Sequence, residues 1–337
     1  MRIIIDAFGG DNAPLEVIKG AVAAAQEYGV TVVLVGDETQ ITTTATKHNI
    51  QLKGVEIHHA PDVMPVEADP AQIRTVYKNS SMAAGLRLVA EGKGDAFVSA
   101  GSTGALLMGA TFIVKRIKGI KRPALGTMVP LGDHKYYLLI DAGANHECRA
   151  DMLVQFGVMG SLYYQQMTDT AAPRVGLVNI GTEETKGTQL QIDAYQLLKT
   201  APLNFIGNVE ARDIPLGGCD VAVCDGFTGN IILKLSEGFA GFFNKTLKAM
   251  FLQNLKTKLA AVMMKTAIVS LKKSMDYKEH GGAPILGVQK PVLKAHGSSD
   301  ALAFKNAIRQ AVLCVKGDVC KRIEEGIAKV AADSEEE

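Results

Sequence analysis

Runs rich in β-branched residues recur along the chain at 2–6 (RIIID), 31–36 (TVVLVG), 55–60 (VEIHHA), 95–100 (DAFVSA), 136–143 (YYLLIDAG), 174–181 (RVGLVNIG), 203–210 (LNFIGNVE) and 220–226 (DVAVCDG). They are continuous rather than alternating, as in strands buried on both faces of a parallel sheet. Between most of them the apolar positions follow a helical period, which predicts helices over 13–28, 71–91, 105–115 and 151–166. This order predicts an α/β fold, three-layered around a mostly parallel sheet. Residues 1–330 read as one large domain, followed by an acidic tail over 331–337.

Most of these runs end in the same chemistry. DAFGGD (6–11), SAGSTG (99–104), DAGAN (141–145), NIGTEETKG (179–187) and DGFTGN (225–230) each place glycines and small polar residues after an apolar run. Carboxyl ends of strands in an open parallel sheet converge on one crevice, where helix N-termini present free N–H groups. Five such loops on one edge predict a site for an anion. Gly9 and Gly10 allow close backbone approach, while Asp6 and Asp11 shape their loop rather than meet an anion, since like charges repel. Ser102, Thr103 and Gly104 make a hydroxyl-bearing turn that is neither a Walker A loop nor GxGxxG, so nucleotide binding is not indicated; alone it is equally a plain strand-to-helix turn.

Lys186 in the NIGTEETKG loop is a candidate to neutralise a phosphate, against the common alternative of a solvated lysine. Asn145, and Asn230 with its neighbours Thr228 and Gly229, offer amide and hydroxyl donors, though turn capping explains either loop by itself. His280, with Gly281 beside it in EHGGAP, and His296 in KAHGSSD are glycine-flanked and suit a cleft, whereas His146 after DAGAN stays open. The absence of GxSxG disfavours a serine nucleophile.

Composition narrows the classes further. A net charge of +1 over 337 residues gives no global attraction to nucleic acid or membrane. Five cysteines without a CxxC pair or a metal-ligand spacing support neither a disulfide framework nor a zinc site, and predict a reducing cytoplasm. The run at 3–5 is too short for a signal peptide, and no uncharged run reaches membrane-spanning length. The exception to neutrality is 238–273, where Lys245, Lys248, Lys256, Lys258, Lys265, Lys272 and Lys273 occur with no acid. Phe239, Phe242, Phe243, Leu247 and Met250 share a helical face opposite Lys245 and Lys248, and Lys258, Lys265 and Lys272 form a stripe opposite Met263. This predicts a protruding amphipathic helical hairpin at about 236–278, suited to subunit packing, to an anionic membrane surface or to an acidic carrier protein.

Taken together, DAFGGDNAP, SAGSTGALL, DAGAN, NIGTEETKGT, CDGFTGN, HGGAPILG and KAHGSSDA, in this order over residues 6–301, closely resemble the PlsX family of acyl-acyl carrier protein:phosphate acyltransferases. The resemblance implies a fold like that of isocitrate and isopropylmalate dehydrogenases and phosphotransacetylase, a homodimer, and peripheral membrane association through the hairpin. It implies that inorganic phosphate attacks the thioester of long-chain acyl carrier protein to give acyl phosphate for phospholipid synthesis. It points to Lys186 and Asn230 as essential, and for such a reaction no cofactor or metal is expected. Phe8 stands where the family pattern has methionine and keeps an apolar side chain there.

The chemistry is compatible with the residues. Phosphate is a nucleophile at neutral pH and a thiolate is a tolerable leaving group, so the protein must chiefly place two reactants and stabilise an oxyanion. Rival expectations are an acyl-coenzyme A:phosphate transferase, a nicotinamide-dependent dehydrogenase on the same fold, and a membrane-docked scaffold for acyl carrier protein. Against the dehydrogenase, Asp220 and Asp225 flank a strand rather than forming a helical metal-binding set.

Overall fold

The computed structural model describes residues 1–132, 135–274 and 281–333. Strands β1 (Arg2–Asp6), β2 (Thr31–Gly36), β3 (Val55–His59) and β4 (Ala96–Ser99) fall on the first four predicted runs. Strand β5 (Ala124–Gly132) was not among them: Gly126 and Pro130 interrupt its pattern, and Pro130 adjoins a register irregularity against β6 (Lys135–Ile140). The remaining predicted runs form β7 (Val175–Asn179), β8 (Phe205–Glu210) and β9 (Val221–Val223). Two short strands, β10 (Ala283–Leu286) and β11 (Val292–Lys294), also lie outside the predicted runs.

The helices are α1 (Leu15–Tyr28), α2 (Glu38–Lys47), α3 (Ser81–Ala90), α4 (Thr103–Gly109), α5 (Ala150–Thr168) and α6 (Gln189–Thr200). They continue as α7 (Gly226–Leu252), α8 (Leu255–Met263), α9 (Lys265–Ser274), α10 (Ala301–Lys316) and α11 (Val319–Asp333). The helix expected over 71–91 is divided. A 3₁₀ segment, Pro70–Arg74, starts at Asp69, whose carboxylate accepts from Ala71 N, and α3 starts afresh at Ser80, whose hydroxyl accepts from Ala83 N. Each cap satisfies orphan N–H groups and fixes its own helix start. The helix expected over 105–115 begins earlier, at Thr103, and its last part, Ala110–Lys115, is wider-wound π-helix. Part of the expected acidic tail, 331–333, belongs to α11, and the rest lies outside the described residues.

Among the described residues the sheet has 11 strands in the order β3-β2-β1-β4-β11-β10-β5-β6-β9-β7-β8. Pairs within β3-β2-β1-β4-β11 are parallel, as are those within β6-β9-β7-β8. The three central pairs, β11·β10, β10·β5 and β5·β6, are antiparallel. An odd number of reversals means that β6, β7 and β9 run opposite to β1 and β4. The five glycine-bearing loops therefore do not leave one common edge of a uniformly parallel sheet, contrary to the expectation from sequence.

Alternate residues divide the core between two faces, the period-2 signature of a strand. Ile4 and Val33 of the first half and Tyr137 and Leu139 of the second join one continuous cluster with Leu86 of α3, and Ile232 and Leu233 of α7 pack against it. On the opposite face, Ile3 and Ile5 pack with α1 and α10, and Leu138 and Ile140 pack with α5 and α11. Helices thus cover both faces, giving the three layers expected for an α/β protein.

Candidate active-site cavity

A cavity of about 740 Å³ lies where the two halves of the sheet meet under α7. Leu125 and Val129 of β5, and Ile232, Leu233 and Phe239 of α7, make its apolar walls. Thr103, Asn230, Lys294 and His296 supply polar groups to the lining.

The rim of the first half is fixed by Asp6. The Ser81 and Ser99 hydroxyls each donate to its carboxylate at 2.6 Å, and Phe8 N donates at 3.2 Å, so the end of β1 is tied to α3 and β4. Burial holds this carboxyl above its ordinary range, against the opposing effect of the hydrogen bonds. Gly10, at φ +96°, brings the chain against the loop after β11: a Cβ there would lie 2.8 Å from the Gly297 carbonyl. Asp11 N donates to that same carbonyl at 2.8 Å.

Asp141 does the equivalent work in the second half. Oδ1 accepts from Leu125 N, Gly143 N and Ala144 N at 3.0, 3.1 and 2.9 Å, and Oδ2 accepts from Asn145 N at 2.7 Å. Asn145 Nδ2 donates to Asp141 Oδ2 and to the Pro123 carbonyl, both at 2.8 Å. Both amide hydrogens of Asn145 are spent inside the loop, so the donor expected for a substrate is committed to structure. Burial again raises the Asp141 carboxyl.

The DGFTGN sequence is not a loop but the first turn of α7, one helix of 27 residues. Its several glycines weaken helical propensity and conceal it in the sequence. Asp225 caps it, accepting from Thr228 N at 2.9 Å and Thr228 Oγ1 at 2.8 Å, so Thr228 serves the helix start. Gly229 is a packing residue: a Cβ there would sit 1.9 Å from the Asp141 carbonyl oxygen. This close approach lets α7 begin against the Asp141 loop and sets Asn230 in the cavity wall.

Of the residues singled out in the sequence, Thr103, Asn230, Gly281 and His296 line the cavity together. Gly9, Gly10, Asp11, Ser102, Gly104, Asn145, Thr228 and Gly229 support the surrounding loops and helix starts without belonging to the lining. His280 lies outside the described residues. Lys186 is half exposed and stands 3.9 Å from Glu183 rather than in the cavity lining. Its loop nevertheless follows β7, which lies in the sheet between β9 and β8, and the segments after both of those strands contribute Asn230, Ala211 and Pro215 to the cavity.

Lys294 was missed. It stands inside the KAHGSSDA motif as the last residue of β11, a lysine directly after two buried apolar residues, and that juxtaposition was the signal available. Its Nζ donates to the Ala100 carbonyl at 3.2 Å and to the Ala295 carbonyl. Burial pushes its ammonium down to about 8, opposed by the fields of Asp11 and Asp6 and reinforced by Lys234. Desolvation likewise lowers His296, opposed by Glu237. In the apolar wall, burial raises the Tyr137 phenol to about 12.

Among the described residues no group of three or more His, Cys, Asp or Glu side chains is arranged to hold a metal ion. The five cysteines are free thiols. No described helix is long and apolar enough to cross a membrane. The later part of α7, with α8 and α9, exposes Phe239, Phe242, Leu255, Leu259, Val262 and Met263. The lysine stripe expected along one helix is interrupted, because α8 ends at Met263 and α9 begins at Lys265.

A family model described as "Fatty acid synthesis protein" matches residues 1–322. A protein named phosphate acyltransferase from Alkaliphilus oremlandii is 46% identical over 333 residues, covering 99% of each chain. Another of that name from Acetivibrio thermocellus is 47% identical over 312 residues, 92% of each. In fold, the chain is similar to a phosphotransacetylase from Streptococcus pyogenes (TM-score 0.64, 16% identity, 94% of each chain). It is also similar to 4-hydroxythreonine-4-phosphate dehydrogenase from Klebsiella pneumoniae (TM-score 0.56, 12% identity, 94% of this chain and 99% of that one). The α/β class with a mostly parallel sheet and the family resemblance read from the motifs are both borne out.

Proposed function

The chain belongs to the fatty acid synthesis protein family, and from that premise we propose that it is a phosphate acyltransferase moving a long-chain acyl group from acyl carrier protein to inorganic phosphate. The observation that carries this reading is one cavity with an apolar wall and a cationic, hydrogen-bonding end. Such a cavity suits a reaction that brings a lipid chain and a small anion to one point.

In the reaction, a phosphate oxygen attacks the thioester carbonyl carbon. A C–O bond forms, the C–S bond breaks through a tetrahedral oxyanion, and the carrier leaves as a thiolate that takes a proton from solvent. Asn230 in the cavity wall faces the thioester oxygen and stabilises the oxyanion by donation from its amide. Lys186 leaves Glu183, an exposed partner that holds it weakly, and turns toward the cavity mouth when substrate is present. Leu125, Val129 and Phe239 hold the acyl chain. The exposed apolar face of α7 to α9 is covered by a second copy of the chain nearer the body and by an anionic membrane at its tip, which would deliver the product to lipid synthesis in a peripherally bound, cytoplasmic enzyme.

Incubation of the purified protein with acyl carrier thioester and phosphate, followed by hydroxylamine trapping, tests the proposal. Phosphate-dependent acyl hydroxamate is expected, formed faster from the carrier thioester than from the coenzyme A thioester. Equal or greater rates with coenzyme A would favour the rival donor, and absence of hydroxamate from either would remove the proposed reaction.

A further inference from the structure

We infer that Lys294 is the residue that binds the phosphate nucleophile, an assignment that rests on the acyl-transfer reading for the identity of the anion and on the geometry of the cavity for its location.

Lysine is rarely withdrawn from water without a carboxylate partner. Lys294 is half-buried in the cavity lining, and among the described residues no carboxylate oxygen lies within ion-pair distance of it. The groups it does meet are the neutral carbonyls of Ala100 and Ala295, one at the end of the β4 run and one next to it in sequence. These carbonyls take two of the three ammonium hydrogens and fix the head group's position, leaving, among the described residues, one donor without an acceptor and no carboxylate in contact with the charge. Asp6 and Asp11 act on it only through space, and Asp6 is already occupied by two serine hydroxyls. An anion entering the cavity would supply both the missing acceptor and the missing charge. Thr103 and His296 share the lining with Lys294, and Asn230, on the opposite half of the sheet, also faces the cavity. An oxyanion on Lys294 and a thioester oxygen on Asn230 would thus approach each other across one space.

The depressed proton affinity of Lys294 agrees with this picture: an ammonium desolvated in the absence of ligand regains charge stabilisation when an anion arrives. Lys186 differs in both respects, being half exposed and beside its own carboxylate.

The experiment compares wild type with Lys294→Met, which keeps the length of the chain and removes the charge, and with Lys294→Arg, which keeps the charge. Phosphate binding is measured first, by calorimetric titration of inorganic phosphate without thioester; the trapping assay then gives KM for phosphate and for the thioester separately. The expected result is a rise of about tenfold or more in both the phosphate Kd and the phosphate KM of Lys294→Met, with the thioester KM unchanged and partial recovery in Lys294→Arg. A phosphate Kd within twofold of wild type, or a rise confined to the thioester KM, would overturn the inference. If wild type made no hydroxamate while its phosphate binding still depended on Lys294, the acyl-transfer reading would fail and this assignment would survive. If Lys294→Met did not fold, as judged by circular dichroism, Lys294→Gln would carry the same comparison.

Discussion

Asp6 closes β1 in one half of the sheet and Asp141 follows β6 in the other, and the two buried carboxylates are held by different kinds of donor. Asp6 accepts chiefly from two serine hydroxyls, which rotate. Asp141 accepts from four backbone N–H groups, which do not. The lysines of the two halves differ in a parallel way. Lys294 is set in the cavity by two carbonyls, whereas Lys186 rests on the surface against Glu183. The first half thus offers a prepositioned cation on an adaptable carboxylate frame. The second offers a rigid loop frame and a cation held at the surface, which on the proposed mechanism would have to move to reach the cavity. On the proposed mechanism, substrate placement and conformational closure are divided between the two halves.

This division can be broken experimentally. Lys186→Ala should have the largest effect, lowering turnover by about 10³-fold while the thermal melt and the phosphate Kd stay near wild type, because this lysine is exposed and acts only once drawn to the substrate. A turnover within a few-fold of wild type would remove Lys186 from the mechanism and leave the first half with the only working cation.

Asp141→Asn should cost roughly 2–3 kcal/mol in urea unfolding, since the amide nitrogen would oppose a fixed N–H donor such as Asn145 N. The loss should be accompanied by lower activity, because the same loop supports the start of α7 and Asn230. Unchanged stability would show that the Asp141 frame is not rigid.

The pH dependence of stability sharpens the description of Lys294. Its proton affinity falls from 10.5 in water to about 8 in the fold, so between those values the unfolded chain binds more protons than the native one. Stability contributed by this group therefore rises with pH across that window, by at most about 3 kcal/mol. Wild type and Lys294→Met, compared by denaturant titration from pH 7.5 to 10.5, should diverge by that trend; parallel curves would mean that Lys294 is as well solvated as a surface lysine.

Asp6→Asn should be the mildest change, about 1 kcal/mol by the same measurement, because Ser81 and Ser99 can each turn to donate or accept. A loss as large as that of Asp141→Asn would erase the distinction between the two frames.

Much of this molecule is legible from local pattern. β2 occupies the predicted 31–36, and the ordered motifs identify the family that the whole-chain comparisons confirm. Thr103, Asn230, Gly281 and His296 could be singled out because each stands beside a glycine, where close approach leaves a mark in the sequence. Lys294 carried a weaker mark, a lysine directly after two apolar residues, and what sets it apart is what surrounds it in the fold. Asn145 shows the converse: an amide at a loop looks the same in sequence whether it faces a ligand or its own backbone, and here it bonds to Asp141 and to the Pro123 carbonyl.

The sequence by itself determined the α/β class, most of the strand-forming segments and the family, because hydrophobic period and turn chemistry are properties of a few consecutive residues. The tertiary structure alone decided which loops meet. β10 and β11, of 4 and 3 residues, are too short to be declared by their own pattern, yet their antiparallel pairings with each other and with β5, together with the antiparallel β5·β6 pair, make the three reversals that invert the second half of the sheet. The pairing of β10 with β5 joins residues more than 150 positions apart in the chain, such as Ile285 with Leu125, and its energy exists only once the sheet has formed. The same assembly withdraws Lys294 from water and leaves Lys186 in it, so that two residues of one chemical type acquire different surroundings.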